Sequence, residues 1–491
     1  MATVPWTATS DAPAPEISLD TKRLLSSTAL YGIADIAVMA VGGFLLLPLY
    51  TRTLSQGEFG MFVAIRANID ILTYVLQFGL PSAIARVYFD HKRAGKHKAY
   101  LSSILCFFLL VLAAVGFVLA IWGVSLWALL SPTTPAHPYL GFSVAIAAVG
   151  FPAAMATLWL RMEGRAIAMV SLQLGASLVL AVLAIINLGV LDNGLPGLLF
   201  SLLASAVFSA AALPWLFGRG FRPAIERAHI TESLRYAVPI LVGYVAYFVL
   251  NRLSTLILQR HVWVDQLAVF GVAQQLSMIV TIACTSFGMA LQPMVFGAEP
   301  AHAMEAIRRA SRILTFLMFG VTTALILFGA ELLMLIAPRG YGGGYATLLV
   351  LLVSNFSNAF TLVSDTTLLY HRRPKTSVGV SVVSAVTAAC LGLWLIPLYH
   401  LNGAALSVAG GFIVRMIVSQ WMAYRVAGTE FVGPMIGTMA SLCMLALVMG
   451  WLQQQALQLT AAVSVKALIG AAILLSITLI YRKSRAQPCA S

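Results

Sequence analysis

Residues 99–128 read AYLSSILCFFLLVLAAVGFVLAIWGVSLWA, thirty consecutive positions without one charged side chain. A hydrocarbon core about 30 Å thick requires about 20 apolar residues if an α-helix is to cross it. Because backbone polar groups find no partner in lipid, an uninterrupted apolar run of this length is expected to be a helix rather than a barrel strand. The stretch therefore predicts a membrane-spanning helix.

Similar apolar stretches recur along the 491 residues, of which 60% are hydrophobic and 10% are charged. A soluble globular domain has about 25% charged residues, so that class is excluded. We predict an all-α integral membrane protein with about 14 transmembrane helices. The predicted spans are 28–50, 59–81, 99–128, 138–160, 166–188, 194–218, 234–258, 266–293, 310–330, 345–370, 376–398, 402–424, 432–452 and 460–481.

The positive charges are distributed unevenly between successive loops. Of the 30 Lys and Arg residues, 23 lie in alternate loops and the terminal segments, three lie in the intervening loops, and four lie inside apolar stretches. This asymmetry is the positive-inside pattern, and it predicts that both termini are cytoplasmic. Anionic lipid head groups account for the net charge of +13, and no separate basic domain indicates nucleic acid binding.

A weak internal repeat divides the chain. Phe59-Gly60 recurs 211 residues later as Phe270-Gly271, and Pro81 and Pro293 follow at nearly the same offset. Parallel repeats of this kind predict two pseudo-symmetric six-helix lobes around a central cavity, with a C-terminal helix pair outside the repeat. The predicted regions are a disordered cytoplasmic tail at 1–24, an N-terminal lobe at 25–218, a cytoplasmic linker at 219–233, a C-terminal lobe at 234–425, helices 13 and 14 at 426–482, and a cytoplasmic tail at 483–491.

The sequence has no motif for covalent chemistry. It has no P-loop, its five cysteines have no CxxC spacing, and its loops are too short for a catalytic domain. We therefore expect no enzyme activity, no metal and no cofactor.

The informative residues are ionisable groups inside the predicted spans, because a charge near the centre of a membrane helix costs about 2.5–3.5 kcal/mol. Such a residue is expected to face a partner or a polar cavity. The seven residues are Asp35, Arg66, Asp70, Arg252, Asp365, Arg415 and Lys466.

Helical spacing places several of these groups on polar stripes. Arg66, Asp70 and Gln77 lie on one face of the second span. Tyr247 and Asn251 share a face of the seventh span, with Arg252 at its border. Gln274 belongs to a polar face of the eighth span. We predict that Asp70, Gln77, Asn251, Tyr247 and Gln274 line the cavity.

Two interpretations of the charges stay open. Arg66 and Asp70, four residues apart, either neutralise each other or leave Arg66 to bind an anion, since a guanidinium fork matches phosphate oxygens. Arg252 has no carboxylate three or four residues away, which favours a binding role. Asp35 or Asp365 either pairs with Arg252 across the bundle or serves as an ion-coupling site for protons or sodium.

Short motifs give the chain a family resemblance. GGFLLLPLYTRTLS at 42–55, EFG at 58–60, FGL at 78–80, IPLY at 396–399 and NGAA at 402–405 resemble Wzx-type polysaccharide flippases. These flippases belong to the multidrug/oligosaccharidyl-lipid/polysaccharide flippase superfamily, and the similarity in layout covers residues 25–425.

The resemblance implies a transporter in the bacterial cytoplasmic (inner) membrane. Its substrate would be an undecaprenyl-pyrophosphate-linked oligosaccharide, moved to the outer leaflet by alternating access for surface polysaccharide synthesis. The expected partners are this lipid, membrane lipids and polysaccharide polymerase or export machinery. Arg66 and Arg252 are the candidates for binding the pyrophosphate.

Two other functions stay open at this stage. A cation-coupled multidrug or metabolite exporter of the same fold would use Asp35 or Asp70 as its coupling carboxylate. A membrane glycosyltransferase or polymerase normally needs a large outer loop, which the sequence does not contain.

Overall fold

The computed structural model describes residues 38, 41–218, 221, 225–296, 300–337, 340–371, 373–428 and 433–454. The predicted ion-coupling residue Asp35, Lys466 and the predicted span at 460–481 lie outside the described residues. Within the described ranges every regular element is a helix. The predicted all-α membrane fold is confirmed.

We number the α-helices of these ranges in chain order. They are α1 Leu47–Thr53, α2 Gln56–Gln77, α3 Leu80–Arg93, α4 His97–Leu130, α5 Tyr139–Met162, α6 Ala166–Ala184, α7 Gly194–Ala210, α8 Ala212–Phe217, α9 Arg227–Phe248, α10 Ser254–Leu258, α11 Val264–Phe296, α12 Pro300–Ile336, α13 Tyr345–Tyr370, α14 Pro374–Ala427 and α15 Gly433–Gln454. Wider π turns at Val41–Leu45, Ile185–Val190 and Val249–Leu253 lie before α1, after α6 and between α9 and α10.

Ten helical segments of the described ranges are long and apolar enough to cross a membrane. One of them, α14, contains two of the predicted spans. Its backbone is broken at His400, where φ is 49° and ψ is −118°. The break separates the predicted spans 376–398 and 402–424. The predicted total of fourteen spans stays a prediction.

The α2 helix has clear local signals at both ends. The Ser55 hydroxyl accepts a hydrogen bond from the Glu58 N–H, while the Glu58 carboxylate accepts one from the Ser55 N–H at 2.9 Å, so a capping box begins the helix. The helix ends at Phe78 and Gly79, whose φ values are 47° and 73°. Pro81 then lies in the first turn of α3, a position that needs no backbone donor.

The two ends of the helix bundle differ in charge. We call the end that carries residues 52–58 and 259–264 the sparse end, because only a few basic residues lie there. We call the opposite end, which carries residues 86–98 and 226–235, the basic end. These names carry no statement about which side of the membrane each end faces.

The two lobes meet closely at the sparse end, where α2 packs along α11. A methyl group at Gly60 would overlap the Val264 carbonyl, and one at Gly271 would overlap the Val63 side chain. The helices therefore approach closely only because these two positions have no Cβ. The repeat noticed in the sequence thus places a glycine on each side of one seam.

Polar contacts support the same end. The Thr51 hydroxyl donates to the Ile336 carbonyl at 2.6 Å, and the Gln56 amide donates to the Asp265 carbonyl at 3.1 Å. The sparse end is therefore held together by hydrogen bonds as well as by close packing.

The basic end also has contacts between the lobes, along one edge. Ser82 and Tyr244 share a hydrogen bond of 2.5 Å between α3 and α9. The His91 ring and the Glu232 carboxylate lie 3.1 Å apart. These contacts fix α9 against the N-terminal lobe at Glu232, near its start, and at Tyr244, near its end, and α9 leads to the π turn that carries Arg252.

Candidate functional site

Three charged side chains meet between the lobes. Nε of Arg252 lies 2.7 Å from Oδ2 of Asp70, and Nε of Arg66 lies 3.6 Å from Oδ1 of the same carboxylate. We call these residues the arginine triad. Two cations and one anion leave one positive charge without a counter-charge inside the group.

Local backbone structure explains how the triad forms. Arg66 and Asp70 are four residues apart on α2, so they lie on the same face. Arg252 lies in the π turn Val249–Leu253, where one extra residue per turn changes the direction of the side chains. The sequence pairs Arg66 with Asp70 correctly, but the short contact of Asp70 is to Arg252 from the other lobe.

The triad borders a cavity of about 550 Å³. That volume is in the range of about 300–1,000 Å³ typical of ligand sites. Arg66 and Arg252 both line it, together with Gln274 from α11. Arg66 is the most accessible member of the triad, with 44% of its side chain exposed. An anion entering this cavity would therefore meet two guanidinium groups.

Other predicted cavity residues are placed differently. Asp70 is not among the residues that line the cavity and instead lies in the triad. Gln274 donates to the Asn251 carbonyl at 3.1 Å and thus joins α11 to the π turn. Tyr247 is 45% exposed, and neither it nor Asn251 or Gln77 lines this cavity.

Asp365 lies in a second charged group within the C-terminal lobe. Its Oδ2 is 3.1 Å from a guanidinium nitrogen of Arg415, and its Oδ1 accepts a hydrogen bond of 2.6 Å from Ser377. The other end of the Arg415 fork donates to Asn358 at 3.0 Å. Asp365 is therefore paired with Arg415 rather than with Arg252.

Sequence reasoning missed the neutral polar residues of the cavity. We call Thr157 of α5, Gln173 and Ser177 of α6, and Ser205 and Ser209 of α7 the neutral wall. A signal was present, since Gln173 and Ser177, and likewise Ser205 and Ser209, have the i, i+4 spacing of a helix face. These stripes have no charged member, and serine and threonine on a membrane helix are equally typical of contacts between helices.

The described residues contain no group of three or more His, Cys, Asp or Glu side chains placed to hold a metal ion. The polar side chains that line the cavity carry guanidinium, amide and hydroxyl groups. Such groups bind and orient a ligand.

A family model described as "Polysaccharide biosynthesis protein" matches residues 24–298. The match covers more than half of the chain and includes the arginine triad. The chain belongs to this family. No curated protein is similar enough in sequence to count as a relative.

Solved structures show which fold the family member has. The lipid II flippase MurJ, in an inward closed conformation, aligns with a TM-score of 0.70 at 12% identity, over 95% of this chain and 99% of that chain. An inward-facing multidrug resistance MATE transporter of the MOP superfamily gives 0.60 at 20% identity, over 83% and 98%.

A further neighbour is a MOP superfamily transporter from Pyrococcus furiosus, described by the reverse polarity of its binding pocket. It aligns with a TM-score of 0.56 at 18% identity, over 82% of this chain and 96% of that chain. The chain thus has the fold of MurJ and the MATE transporters, and it is a multi-pass membrane protein.

Proposed function

We propose that this family member is a flippase that moves an undecaprenyl-pyrophosphate-linked oligosaccharide across the bacterial cytoplasmic membrane. The observation that carries the proposal is that Arg66 and Arg252, from different lobes, line one cavity while sharing a single carboxylate. The cavity wall therefore offers a net positive charge between the lobes.

A pyrophosphate cannot cross hydrocarbon without replacing its water. Burial of an unpaired charge is strongly unfavourable, so the carrier must supply hydrogen-bond donors and opposite charge along the path. Guanidinium groups meet both needs, because each presents several donors in a fork that matches phosphate oxygens. Arg66 and Arg252 would serve in this role, and the polyprenyl chain would stay in lipid.

The charge distribution also gives a direction. If the basic end faces the cytoplasm, as positive-inside distribution favours, the glycan is taken up there and released at the sparse end. The lobes would rock against each other. Coupling to an ion gradient through Asp35 or Asp365 stays a prediction.

The same observation disfavours the two other functions. A cation exporter would have to desolvate its substrate beside a surplus positive charge, which costs rather than gains free energy. A glycosyltransferase needs an acid or base within reach of its substrate. Among the described residues that line this cavity, the charged groups are Arg66 and Arg252. Arginine stays protonated, so neither serves as such an acid or base.

The test uses cells that lack the gene and make no surface polysaccharide. Plasmids would supply the wild-type chain, Arg66→Ala, Arg252→Ala, or the matched control Arg86→Ala. Arg86 is 62% exposed at the basic end and contacts Asp90, so it tests the loss of an arginine outside the cavity.

We expect the wild-type chain and Arg86→Ala to restore the polymer. Arg66→Ala and Arg252→Ala should give normal protein abundance, little polymer, and accumulation of the lipid-linked intermediate on the cytoplasmic side. Normal polymer from both cavity variants would contradict the proposal. Rescue of resistance to cationic drugs, without an effect on polymer, would favour the exporter instead.

A further inference from the structure

The cavity has two chemically different sides. The α2 helix and the π turn contribute the cations Arg66 and Arg252. The neutral wall of α5, α6 and α7 contributes hydroxyl and amide groups and no charged side chain. A site for pyrophosphate alone would need only the first side, so the second side requires its own explanation.

Two hydroxyl groups of the neutral wall, those of Thr157 and Ser205, have a defined polarity. Thr157 donates its hydroxyl proton to the Ala153 carbonyl at 2.8 Å, and Ser205 donates to the Ala176 carbonyl at 2.7 Å. Because each proton is engaged with the backbone, the oxygens are left as acceptors. Groups that donate, such as sugar hydroxyls, are the matching ligands.

The small side chains beside the polar residues also favour a sugar as the ligand of the neutral wall. Alanine side chains at 153, 154, 176 and 206 also line the cavity between the polar residues. These short side chains leave room in the cavity, and Gln173 contributes an amide side chain to its lining. An alkyl chain would fit the space but could not donate to these hydroxyl oxygens.

We propose that the neutral wall is a saccharide subsite that binds the uncharged sugar next to the pyrophosphate. The inference rests on the proposed function, because it assumes that the two arginines bind the pyrophosphate. It assigns recognition of the glycan to α5–α7 of the N-terminal lobe. The cationic side then recognises every pyrophosphate lipid alike, whereas the neutral wall distinguishes lipids with a sugar from lipids without one.

The experiment measures binding of two probes to purified full-length protein in detergent. One probe is geranylgeranyl pyrophosphate, and the other is the same lipid carrying one neutral hexose, in gluco and galacto forms. The proteins are the wild type, the double variant Thr157→Val/Gln173→Leu, Arg66→Ala, and the control Ser171→Ala. Ser171 is an exposed α6 residue that does not line the cavity.

We expect the wild type and Ser171→Ala to bind at least one hexose-bearing lipid about tenfold more tightly than the bare lipid, the size of one or two hydrogen bonds. The Thr157→Val/Gln173→Leu variant should lose that difference while its affinity for the bare lipid stays unchanged. Arg66→Ala should weaken binding of all probes. The conservative shapes of Val and Leu keep the helix packing, and a thermal melt would verify folding.

Three results would overturn the inference. The wild type binding all probes equally would remove the saccharide subsite but leave the proposed function intact. Equal weakening of bare and hexose-bearing lipid by the double variant would show that the wall contacts the pyrophosphate or the alkyl chain. Failure of the wild type to bind any pyrophosphate lipid would contradict the proposed function and this inference together.

Discussion

The arginine triad and the Asp365–Arg415 pair are both charged groups inside membrane helices, but they differ in balance. In the pair, one cation meets one anion, and Ser377 and Asn358 complete their hydrogen bonds. The triad has a surplus cation, and 44% of the Arg66 side chain is exposed, compared with 14% for Arg415. A balanced, enclosed pair can join helices, whereas an unbalanced, accessible group can receive an anion.

The largest expected effect comes from breaking the balanced pair. In Arg415→Ala, Asp365 would keep only Ser377 as a partner, and loss of one member of a buried pair costs about 3–5 kcal/mol. We expect low abundance and a much lower melting temperature in detergent. Asp365→Asn should also lower the melting temperature, because it leaves Arg415 without its counter-charge, although the amide oxygen can still accept a hydrogen bond from the guanidinium.

The control for this prediction is Arg86→Ala, whose exposed partner Asp90 lies 3.5 Å away. Exposed pairs contribute about 0–1 kcal/mol, so its melting temperature should hardly change. An Arg415→Ala protein as stable as the control would contradict a structural role for the pair.

The next effect separates the two groups by replacing both partners with apolar residues. Asp365→Leu/Arg415→Met should recover most of the stability, since a buried pair is often replaceable by apolar residues. Asp70→Leu/Arg252→Met should also be stable but should transport about 100-fold more slowly, because a charge-assisted bond to the substrate is worth about 1.5–3 kcal/mol.

The measurements are melting temperature and lipid translocation in proteoliposomes, with the wild type as reference. Stable protein without transport from Asp365→Leu/Arg415→Met would argue that Asp365 has the ion-coupling role that the sequence suggested. Unimpaired transport by Asp70→Leu/Arg252→Met would remove the distinction between the two groups.

A smaller effect is expected when the triad becomes more positive. Asp70→Asn removes the internal anion that contacts both arginines, so bare pyrophosphate lipid should bind about tenfold more tightly and leave more slowly. Titration with geranylgeranyl pyrophosphate and steady-state translocation would measure both changes. Asp90→Asn, a change of an exposed carboxylate at the basic end, is the matched control. Weaker binding by Asp70→Asn would indicate that Asp70 mainly positions the arginines.

The smallest effect should come from replacing arginine by lysine. Arg66→Lys keeps the charge but loses the fork, so we expect lipid affinity to fall only a few-fold. Arg415→Lys cannot reach Asn358 and Asp365 with one planar group, and a small loss of stability with normal lipid affinity should result. Lipid affinity and melting temperature, measured on both variants, would show whether each group changes only its own property.

Much of the fold was predictable, because a chain in lipid must satisfy its backbone hydrogen bonds internally and therefore forms helices. Apolar runs and alternating basic loops indicate helices and their order, and the boundary predicted between 398 and 402 coincides with the break at His400. The motifs at 42–60 also indicated the family whose model matches residues 24–298. These signals can be read from the sequence without knowing which helices pack together.

The site was only partly predictable. The i, i+4 spacing of Arg66 and Asp70 gave one contact of the triad, but the shorter contact joins Asp70 to Arg252, 182 positions further along the chain. Asp365 similarly pairs with Arg415, 50 positions away. Partners across helices depend on packing and on the π turn, and neither leaves a periodic mark in the sequence.

The seam at Gly60, Val63, Val264 and Gly271 has a consequence for how the transporter opens. Its closeness comes from missing side-chain volume, and none of these four positions carries a charge. The approach of the two helices at this point is therefore limited by side-chain volume, and it should not depend on salt concentration. A single bulky side chain would prevent it. Replacement of Gly271 by leucine would keep α2 and α11 apart at this point and would give a means of trapping the state in which the sparse end is open.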